Sequence, residues 1–192
     1  MGREFELKYG ATETQQKAIL IAVGGEFEKI SMETTYYDTA ARTLSSHRYT
    51  LRKRMENGVC VCTVKTPADG HGRGEWESFC DAIELSVSEL CKLGAPENLR
   101  QWTADGLEPI CGARFTRLAK LVELPDAVVE LALDSGELLG GGRKEPLCEV
   151  EVELKSGSEE AAKAYAAALA EKFGLAPEKN SKFRRALALA EG

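Results

Sequence analysis

The amino-acid sequence predicts an α+β protein in which about eight antiparallel strands form one sheet, curled or closed into a barrel with helices packed outside. Several segments alternate charged and apolar residues with a period of two, which is typical of strands with one face in a core. Turn residues separate most of these segments into hairpins, and helical patterns are few. With 192 residues, the chain is long enough for one sizeable core, so we expect a single domain over 1–192.

In the first half of the chain, the predicted strands cover residues 2–9, 28–39, 44–55, 59–65 and 75–81. Thr12, with Gln15 three residues later, has the pattern of a helix N-cap, and Gly24-Gly25 ends that helix. Asn57-Gly58 is a strong hairpin signal. Residues 67–74 contain Pro and several Gly, which predicts a loop.

In the second half, residues 86–104 are predicted to be helical and loop-like. Strands at 114–123 and 127–138 form a hairpin around Pro125-Asp126, and the last long strand covers 147–155. Ser158 caps an amphipathic helix that ends at Phe173-Gly174. After Pro177, a terminal helical segment carries Lys182 and Arg185.

The charged faces of the strands are segregated by sign. Acids dominate the first and last of these strands, and bases dominate the second and third. The runs are Glu4-Phe5-Glu6-Leu7-Lys8, Leu51-Arg52-Lys53-Arg54, Thr63-Val64-Lys65, Arg73-Gly74-Glu75-Trp76-Glu77, Glu130 to Asp134, and Glu149-Val150-Glu151-Val152-Glu153. Because the apolar face must meet the helices, the charged face fills the lumen. Such a lumen is costly unless its charges are paired, bound to metal or solvated, which favours a polyanion and divalent cations as guests.

Composition excludes several function classes. The net charge of −6 argues against a general nucleic-acid-binding surface, and no window is apolar enough to cross a membrane. The N-terminus begins in a charged strand, so we expect no signal peptide. None of the six cysteines forms a C-x-x-C pair, which predicts buried thiols in a reducing, cytoplasmic location. A homodimer remains open.

Glu4-x-Glu6-x-Lys8 resembles the N-terminal E-x-E-x-K signature of the CYTH superfamily, the triphosphate tunnel metalloenzymes. The resemblance extends over nearly the whole chain, through segments that match the family in order: Tyr36-Tyr37-Asp38-Thr39, Leu51-Arg52-Lys53-Arg54, Thr63-Val64-Lys65, Arg73-Gly74-Glu75, Leu133-Asp134, Glu149-x-Glu151-x-Glu153-Leu154 and Ser181-Lys182-x-x-Arg185. It implies an eight-stranded antiparallel tunnel that binds a triphosphate and divalent cations.

The resemblance also implies roles for individual residues. The expected ligands of Mg²⁺ or Mn²⁺ are Glu4, Glu6, Glu151 and Glu153, assisted by Asp134 and Glu149. The expected phosphate-binding residues are Lys8, Arg52, Arg54, Lys65, Arg117 and Lys182, with Arg114 as an alternative to Arg117. Lys8, Glu75 and Glu77 are the predicted catalytic residues, the two glutamates either holding basic side chains or orienting a water.

The favoured function is metal-dependent hydrolysis of inorganic triphosphate. One metal would polarise the triphosphate while a second activates water for in-line attack. Thiamine triphosphatase and class IV-type adenylate cyclase are rivals that use the same tunnel and differ at its mouth. A non-catalytic polyphosphate or nucleotide sensor is the alternative from another class, but it would not need the full set of acids.

Overall fold

A computed structural model describes residues 5–69 and 72–192, without the side chains of residues 68, 69, 72 and 73. Its strands are β1 (Glu6–Gly10), β2 (Glu28–Asp38), β3 (Thr50–Glu56), β4 (Val59–Asp69), β5 (Gly72–Ser78), β6 (Glu108–Leu124), β7 (Ala127–Gly140), β8 (Arg143–Gly157) and β9 (Ala176–Pro177). Its helices are α1 (Glu13–Val23), α2 (Thr43–Ser46), α3 (Ile83–Lys92), α4 (Asn98–Trp102), α5 (Glu159–Phe173) and α6 (Lys182–Glu191). None of the helices in these ranges is both long and apolar enough to span a membrane.

All strands belong to one sheet with the order β5-β4-β3-β2-β6-β7-β8-β1-β9, and every pairing is antiparallel. The α+β class and the antiparallel sheet with helices are therefore confirmed. No hydrogen-bonded ladder joins β5 to β1 or β9 within the described residues, so the sheet curls without closing by backbone pairing. β9 is a ninth strand of only two residues, formed where Pro177 lies beside Tyr9.

The hairpins form where the sequence supplies the required turn chemistry. Asn57 and Gly58 both have positive φ, 49° and 88°, which suits the tight connection between β3 and β4. Gly141 and Gly142, with φ of 56° and 74°, do the same between β7 and β8.

The strand alternation separates a convex apolar face from a concave charged face. On the convex side, α1 and α5 cover a core of β7 and β8 residues that includes Val129, Leu131, Val150 and Val152. A second core places α3 and α4 over β3 and β4, with Cys60, Cys62 and Val64 buried as free thiols or aliphatic side chains. The predicted alternation therefore holds on both halves of the sheet.

The last helix departs from the expectation that helices pack outside. α6 lies against the concave face, where Ala186 and Phe183 pack with Tyr36, Phe115 and other side chains from the charged side of the sheet. Its close approach requires glycine at Gly140, because a Cβ there would lie 2.3 Å from the carbonyl oxygen of Ala186. α6 therefore brings side chains of its own to one end of the concave space.

Two local predictions were wrong. Residues 43–46 form α2 instead of starting a strand, because the buried carboxylate of Asp38 accepts hydrogen bonds from the backbone N–H groups of Leu44 and Ser45. Most of the segment 67–74 is strand, since a bulge between Lys65 and Ala68 accommodates the proline, although residues 70 and 71 lie outside the described part.

Candidate active site

The concave face encloses a cavity of about 770 Å³. Each of the eight longer strands contributes to its lining, and so does the start of α6. Within the described residues, seven carboxylates and seven cationic side chains line it: Glu6, Glu56, Glu75, Glu77, Glu130, Glu151, Glu153, Lys8, Arg52, Arg54, Lys65, Arg117, Lys155 and Lys182. A lining with balanced charge favours a guest that itself carries both signs, such as a polyanion with cations.

The bases on β3 and β4 form what we call the basic wall, consisting of Arg52, Arg54 and Lys65. Arg52 and Arg54 point inward because they share the parity of Thr50 on β3, and Lys65 lies opposite Thr50 on β4. Glu75 on β5 is the register partner of Lys65. Its carboxylate lies 3.1 Å from the Lys65 Nζ and 3.7 Å from an Arg52 Nη.

Arg52 is only partly paired. Its ion pairs with Glu75 and Glu77 are long, at 3.7 and 3.8 Å, and its buried Nε has no hydrogen-bond partner in residues 5–69 or 72–192. Burial lowers the pKa of neighbouring Arg54, and the charges of Arg52 and Arg117 lower it further. Crowded cations with unused N–H groups are what a phosphate oxyanion requires.

On the opposite side, four strand positions and one helix position build what we call the buried charge node: Asp134, Glu149, Glu151, Arg117 and Lys182. The Nζ of Lys182 lies 2.9 Å from Asp134, 2.5 Å from Glu149 and 2.6 Å from Glu151. Arg117 binds both oxygens of Asp134 at 2.8 Å and also contacts Glu151. Asp134 and Glu149 are completely buried.

Sheet register explains how the node assembles. Asp134 is the direct partner of Arg117 on one side and of Glu149 on the other, so three neighbouring strands place their charges in a row. Gln16 of α1 supports this row by donating from its amide to the backbone carbonyls of Asp134 and Glu149. Lys182 arrives from the first position of α6, which is capped by the hydroxyl of Ser181.

Burial and neighbouring charges shift the pKa values of Glu151, Lys182 and Glu149 in the node. Burial opposes ionisation of Glu151, but the charges of Lys182 and Arg117 outweigh burial and hold the pKa of that carboxyl well below its usual range. For Lys182, burial acts to lower the pKa, yet Glu151, Asp134 and Glu149 raise it above its ordinary value. For Glu149, burial has the largest effect and raises the pKa, although Lys182 and Arg185 oppose it.

A third group of charges lies where β1 meets β8. Glu6 pairs in register with Glu153, and Lys8 with Glu151, so carboxylates from two strands face the same space. Cations accompany both carboxylates: Lys8 Nζ lies 3.7 Å from Glu6, and Lys155 Nζ lies 3.0 Å from Glu153. Glu6, Glu151 and Glu153 supply only oxygen donors, the set that Mg²⁺ and Mn²⁺ prefer.

The structure brings most of the predicted site residues to this cavity. Lys8, Arg52, Arg54, Lys65, Arg117, Lys182, Glu6, Glu75, Glu77, Glu151 and Glu153 all line it. Arg117 faces inward, whereas Arg114 is exposed and pairs with Glu33. Asp134 and Glu149 lie behind the cavity wall in the charge node. Glu4 and the side chain of Arg73 lie outside the described part of the chain.

The cavity residues that were not assigned a role from the sequence include Glu56, Glu130, Lys155 and Tyr36. Strand parity could have found three of them. Glu56 continues the series of Arg52 and Arg54, Glu130 shares the face of Asp134, and Lys155 follows Glu149, Glu151 and Glu153 by twos. Tyr36 gives no such charge signal, although it lies at the cavity beneath Phe183 of α6.

The family model of the CYTH domain matches residues 2–187, nearly the whole sequence. This chain belongs to the CYTH domain family. An inorganic triphosphatase from Haemophilus influenzae is 30% identical over 137 residues, which cover 69% of this chain and 38% of the relative. The chain therefore spans little more than a third of that relative's length.

Solved structures of the same architecture come from archaea and plants. The PH1819 protein of Pyrococcus horikoshii superimposes with a TM-score of 0.64 and 23% identity, covering 98% of this chain and 99% of its own. HpAC1 from Hippeastrum, described as an adenylyl cyclase candidate with a dominant triphosphatase activity, gives a TM-score of 0.65 and 17% identity, covering 99% and 95% of the two chains. At these identities the superpositions establish a shared fold.

Proposed function

We propose that this CYTH protein hydrolyses inorganic triphosphate to orthophosphate and pyrophosphate in a reaction that depends on Mg²⁺ or Mn²⁺. The observation that carries the proposal is the basic wall, where the unpartnered Nε of Arg52, among the described residues, lies in the same cavity as the carboxylates of β1 and β8. The triphosphatase named among its relatives, from Haemophilus influenzae, supports the same chemistry.

The basic wall would bind the phosphate chain. Arg52 and Arg54 can each offer a planar fork to phosphate oxygens, and Lys65 adds a point charge next to them. Lys8, across the cavity on β1, would contact the polyanion from the opposite side. With cations on several sides, the substrate is held extended and its terminal phosphorus aligned, which is most of what an enzyme contributes to phosphoryl transfer.

Glu6, Glu151 and Glu153 would hold the metal, with Glu4 as a further expected ligand. When bound, the cation neutralises phosphate charge and makes a coordinated water more acidic. Asp134 and Glu149 would assist in this role, since one oxygen of each lies within 4.8 Å of an oxygen of Glu151. Both also contact Lys182. Glu151 belongs to both groups, because it lines the cavity and also contacts Lys182.

Glu75 and Glu77 would act as positioning residues. Glu75 lies between Lys65 and Arg52, so its charge attracts both cations and holds them directed into the cavity. Glu77 accepts a hydrogen bond from the Thr63 hydroxyl at 3.0 Å and lies near the same guanidinium of Arg52. Exposed on the rim, Glu77 is also the better placed of the two to orient a water.

A substrate panel tests the proposal. Phosphate release from inorganic triphosphate, thiamine triphosphate, ATP and pyrophosphate is compared as kcat/KM with Mg²⁺ and with Mn²⁺. We expect inorganic triphosphate to be the best substrate and pyrophosphate to be poor, because pyrophosphate spans too few of the bases. Preference for thiamine triphosphate, or cyclisation of ATP, would overturn the substrate assignment. Tight binding without turnover of any compound would make the protein a sensor.

A further inference from the structure

Three of the six cysteines lie together on the convex face of the sheet, where β4 meets the end of β5. Cys60 and Cys62 share the outer face of β4, and Cys80 follows the last residue of β5 by two positions. The thiols of Cys60 and Cys62 both donate to the backbone carbonyl oxygen of Cys80, at 3.0 and 3.1 Å. Two buried thiols therefore contact one residue that carries a third.

The register of β4 and β5 sets Cys80 opposite Cys60. Cys62 is the antiparallel partner of Ser78, and the same register continued by two residues matches Cys60 with Cys80. Residues directly opposed in an antiparallel pair have Cα atoms about 4.5–5.5 Å apart, within the range of about 4.4–6.8 Å that a disulfide spans. The hydrogen bond from the Cys60 thiol to the Cys80 carbonyl agrees with such an approach. A disulfide between Cys60 and Cys80 is therefore compatible with the strand pairing.

The three thiols differ in their access to solvent. Cys60 and Cys62 are buried in the core under α3, whereas Cys80 is only partly buried. Burial raises the pKa of the Cys60 thiol, and it raises the pKa of Cys62 to about 11, so both are protonated at neutral pH. A reagent that arrives from solution meets Cys80 first, with Cys60 behind it.

We propose that Cys80 and Cys60 form an oxidation site for hydrogen peroxide, in which Cys80 reacts first and Cys60 converts the product into a cross-strand disulfide. The site lies on the face of the sheet opposite the cavity, and the inference does not depend on the proposed hydrolysis.

The reaction has two steps. The sulfur of Cys80 attacks one peroxide oxygen, the O–O bond breaks, and Cys80 becomes a sulfenic acid while the departing hydroxide leaves as water with the proton of the thiol. The sulfur of Cys60 then attacks the sulfur of Cys80. The S–S bond forms, the S–O bond breaks, and hydroxide leaves as a second water with the proton of Cys60. The two thiols lose two electrons in total, and one peroxide is reduced.

The disulfide would hold the edge of the sheet. β5 is an edge strand whose ladder partner in the described sheet is β4, and its Glu75 and Glu77 lie near Arg52. A bond between residues 60 and 80 closes the β4–β5 hairpin into a loop and restricts the unfolded chain. The oxidised protein should therefore melt at a temperature higher by roughly 5 °C than the reduced protein.

Peptide mass spectrometry of the wild-type chain after treatment with hydrogen peroxide tests the proposal. We expect the loss of two hydrogen atoms and a linked pair of peptides that contain Cys60 and Cys80. Fragmentation of the linked peptides assigns the bond, because Cys60 and Cys62 fall on the same tryptic peptide, 55–65. Thermal denaturation of the reduced and oxidised protein measures the shift in melting temperature.

Three variants separate the steps. Cys80→Ser should lose both the bond and the thermal shift. Cys60→Ser should leave Cys80 as a sulfenic acid, which dimedone traps. Cys148→Ser is the matched control, because Cys148 is also only partly buried but lies on β8, at the other side of the sheet. It should form the disulfide as the wild type does.

Other products in the wild type would overturn the inference, and these results require no variant to fold. A disulfide from Cys62 to either of the other two cysteines would contradict the pairing of Cys60 with Cys80. Thiols that all stay reduced would show that Cys80 does not react. Sulfinic acid at Cys80 without a bond would show that Cys60 does not reach the sulfenic acid.

Discussion

The cations on the two sides of the cavity differ in how closely they are paired with carboxylates. In the buried charge node, Lys182 and Arg117 are held at 2.5 to 2.9 Å from carboxylates that are almost inaccessible. In the basic wall, the nearest carboxylates lie 3.7 and 3.8 Å from Arg52, and its Nε is unpaired among the residues described. The cations of the node are closely paired with carboxylates, whereas Arg52 in the wall keeps a hydrogen-bond donor without a partner among the described residues.

This difference separates structural charges from binding charges. A fully paired buried network is costly to disturb and gains little from a ligand, while partly paired cations gain most when an anion arrives. Substitutions in the node should therefore act first on stability. Substitutions in the wall and at the surface carboxylates should act first on turnover.

The largest effect is expected for Glu149→Gln. This change removes a buried negative charge that contacts both Lys182 and Arg185, and it should lower the free energy of unfolding by about 3 kcal/mol or more. Urea denaturation measures this loss in the free energy of unfolding. Glu145→Gln is the matched control, because Glu145 also pairs with Arg185 but is half exposed, and should cost less than about 1 kcal/mol. Equal losses in both variants would contradict the distinction.

Next in size is Glu6→Gln, which should act on the reaction and not on stability. Glu6 faces the cavity, 3.7 Å from Lys8, so loss of its charge removes an expected metal ligand from the space where the substrate would bind. We expect kcat/KM for triphosphate to fall by more than about 100-fold, beyond the usual cost of losing an outer-shell partner.

The control for Glu6→Gln is Glu33→Gln, on the exposed surface of β2 and paired only with Arg114 among the contacts described. Its activity should be unchanged. Near-normal turnover of Glu6→Gln at saturating Mg²⁺ and Mn²⁺ would remove Glu6 from the metal site.

The sequence predicted which residues face the cavity better than it predicted what they do there. Strand parity alone placed Arg52, Arg54, Lys65 and Glu151 on the inner face, since alternation is a local property of each strand. The pairing of Lys182 with Glu149, 33 residues apart, depends on where α6 docks. Helical periodicity does not show that α6 enters the concave side, so the contacts of Lys182 with Asp134 and Glu149 could not be predicted from the sequence.

The third effect concerns the basic wall directly. Arg52→Ala should raise KM for triphosphate and lower kcat/KM by about 10- to 150-fold, because a hydrogen bond to a charged group is worth about 1.5–3 kcal/mol. Unfolding should change little, as the existing pairs of Arg52 are long. Arg114→Ala, an exposed arginine outside the cavity, should leave the kinetics unchanged. Unaltered kinetics in Arg52→Ala would exclude Arg52 from the site.

The smallest effect is a difference in pH dependence that should arise from the node. Because Lys182 and Arg117 overcome burial and hold the pKa of Glu151 well below its usual range, the unfolded chain takes up this proton before the folded chain does. The stability due to Glu151 is therefore complete above its ordinary pKa and is lost as the pH falls toward the lower folded value. One such group contributes a slope of at most about 1.4 kcal/mol per pH unit.

Urea unfolding between about pH 2.5 and 5, where this linkage operates, should show a shallower slope of the unfolding free energy against pH for Glu151→Gln than for the wild type. Glu33→Gln should keep the wild-type slope, since its carboxylate lies on the surface. A Glu151→Gln variant that is less stable but retains the full acid slope would show that the node does not hold Glu151 ionised.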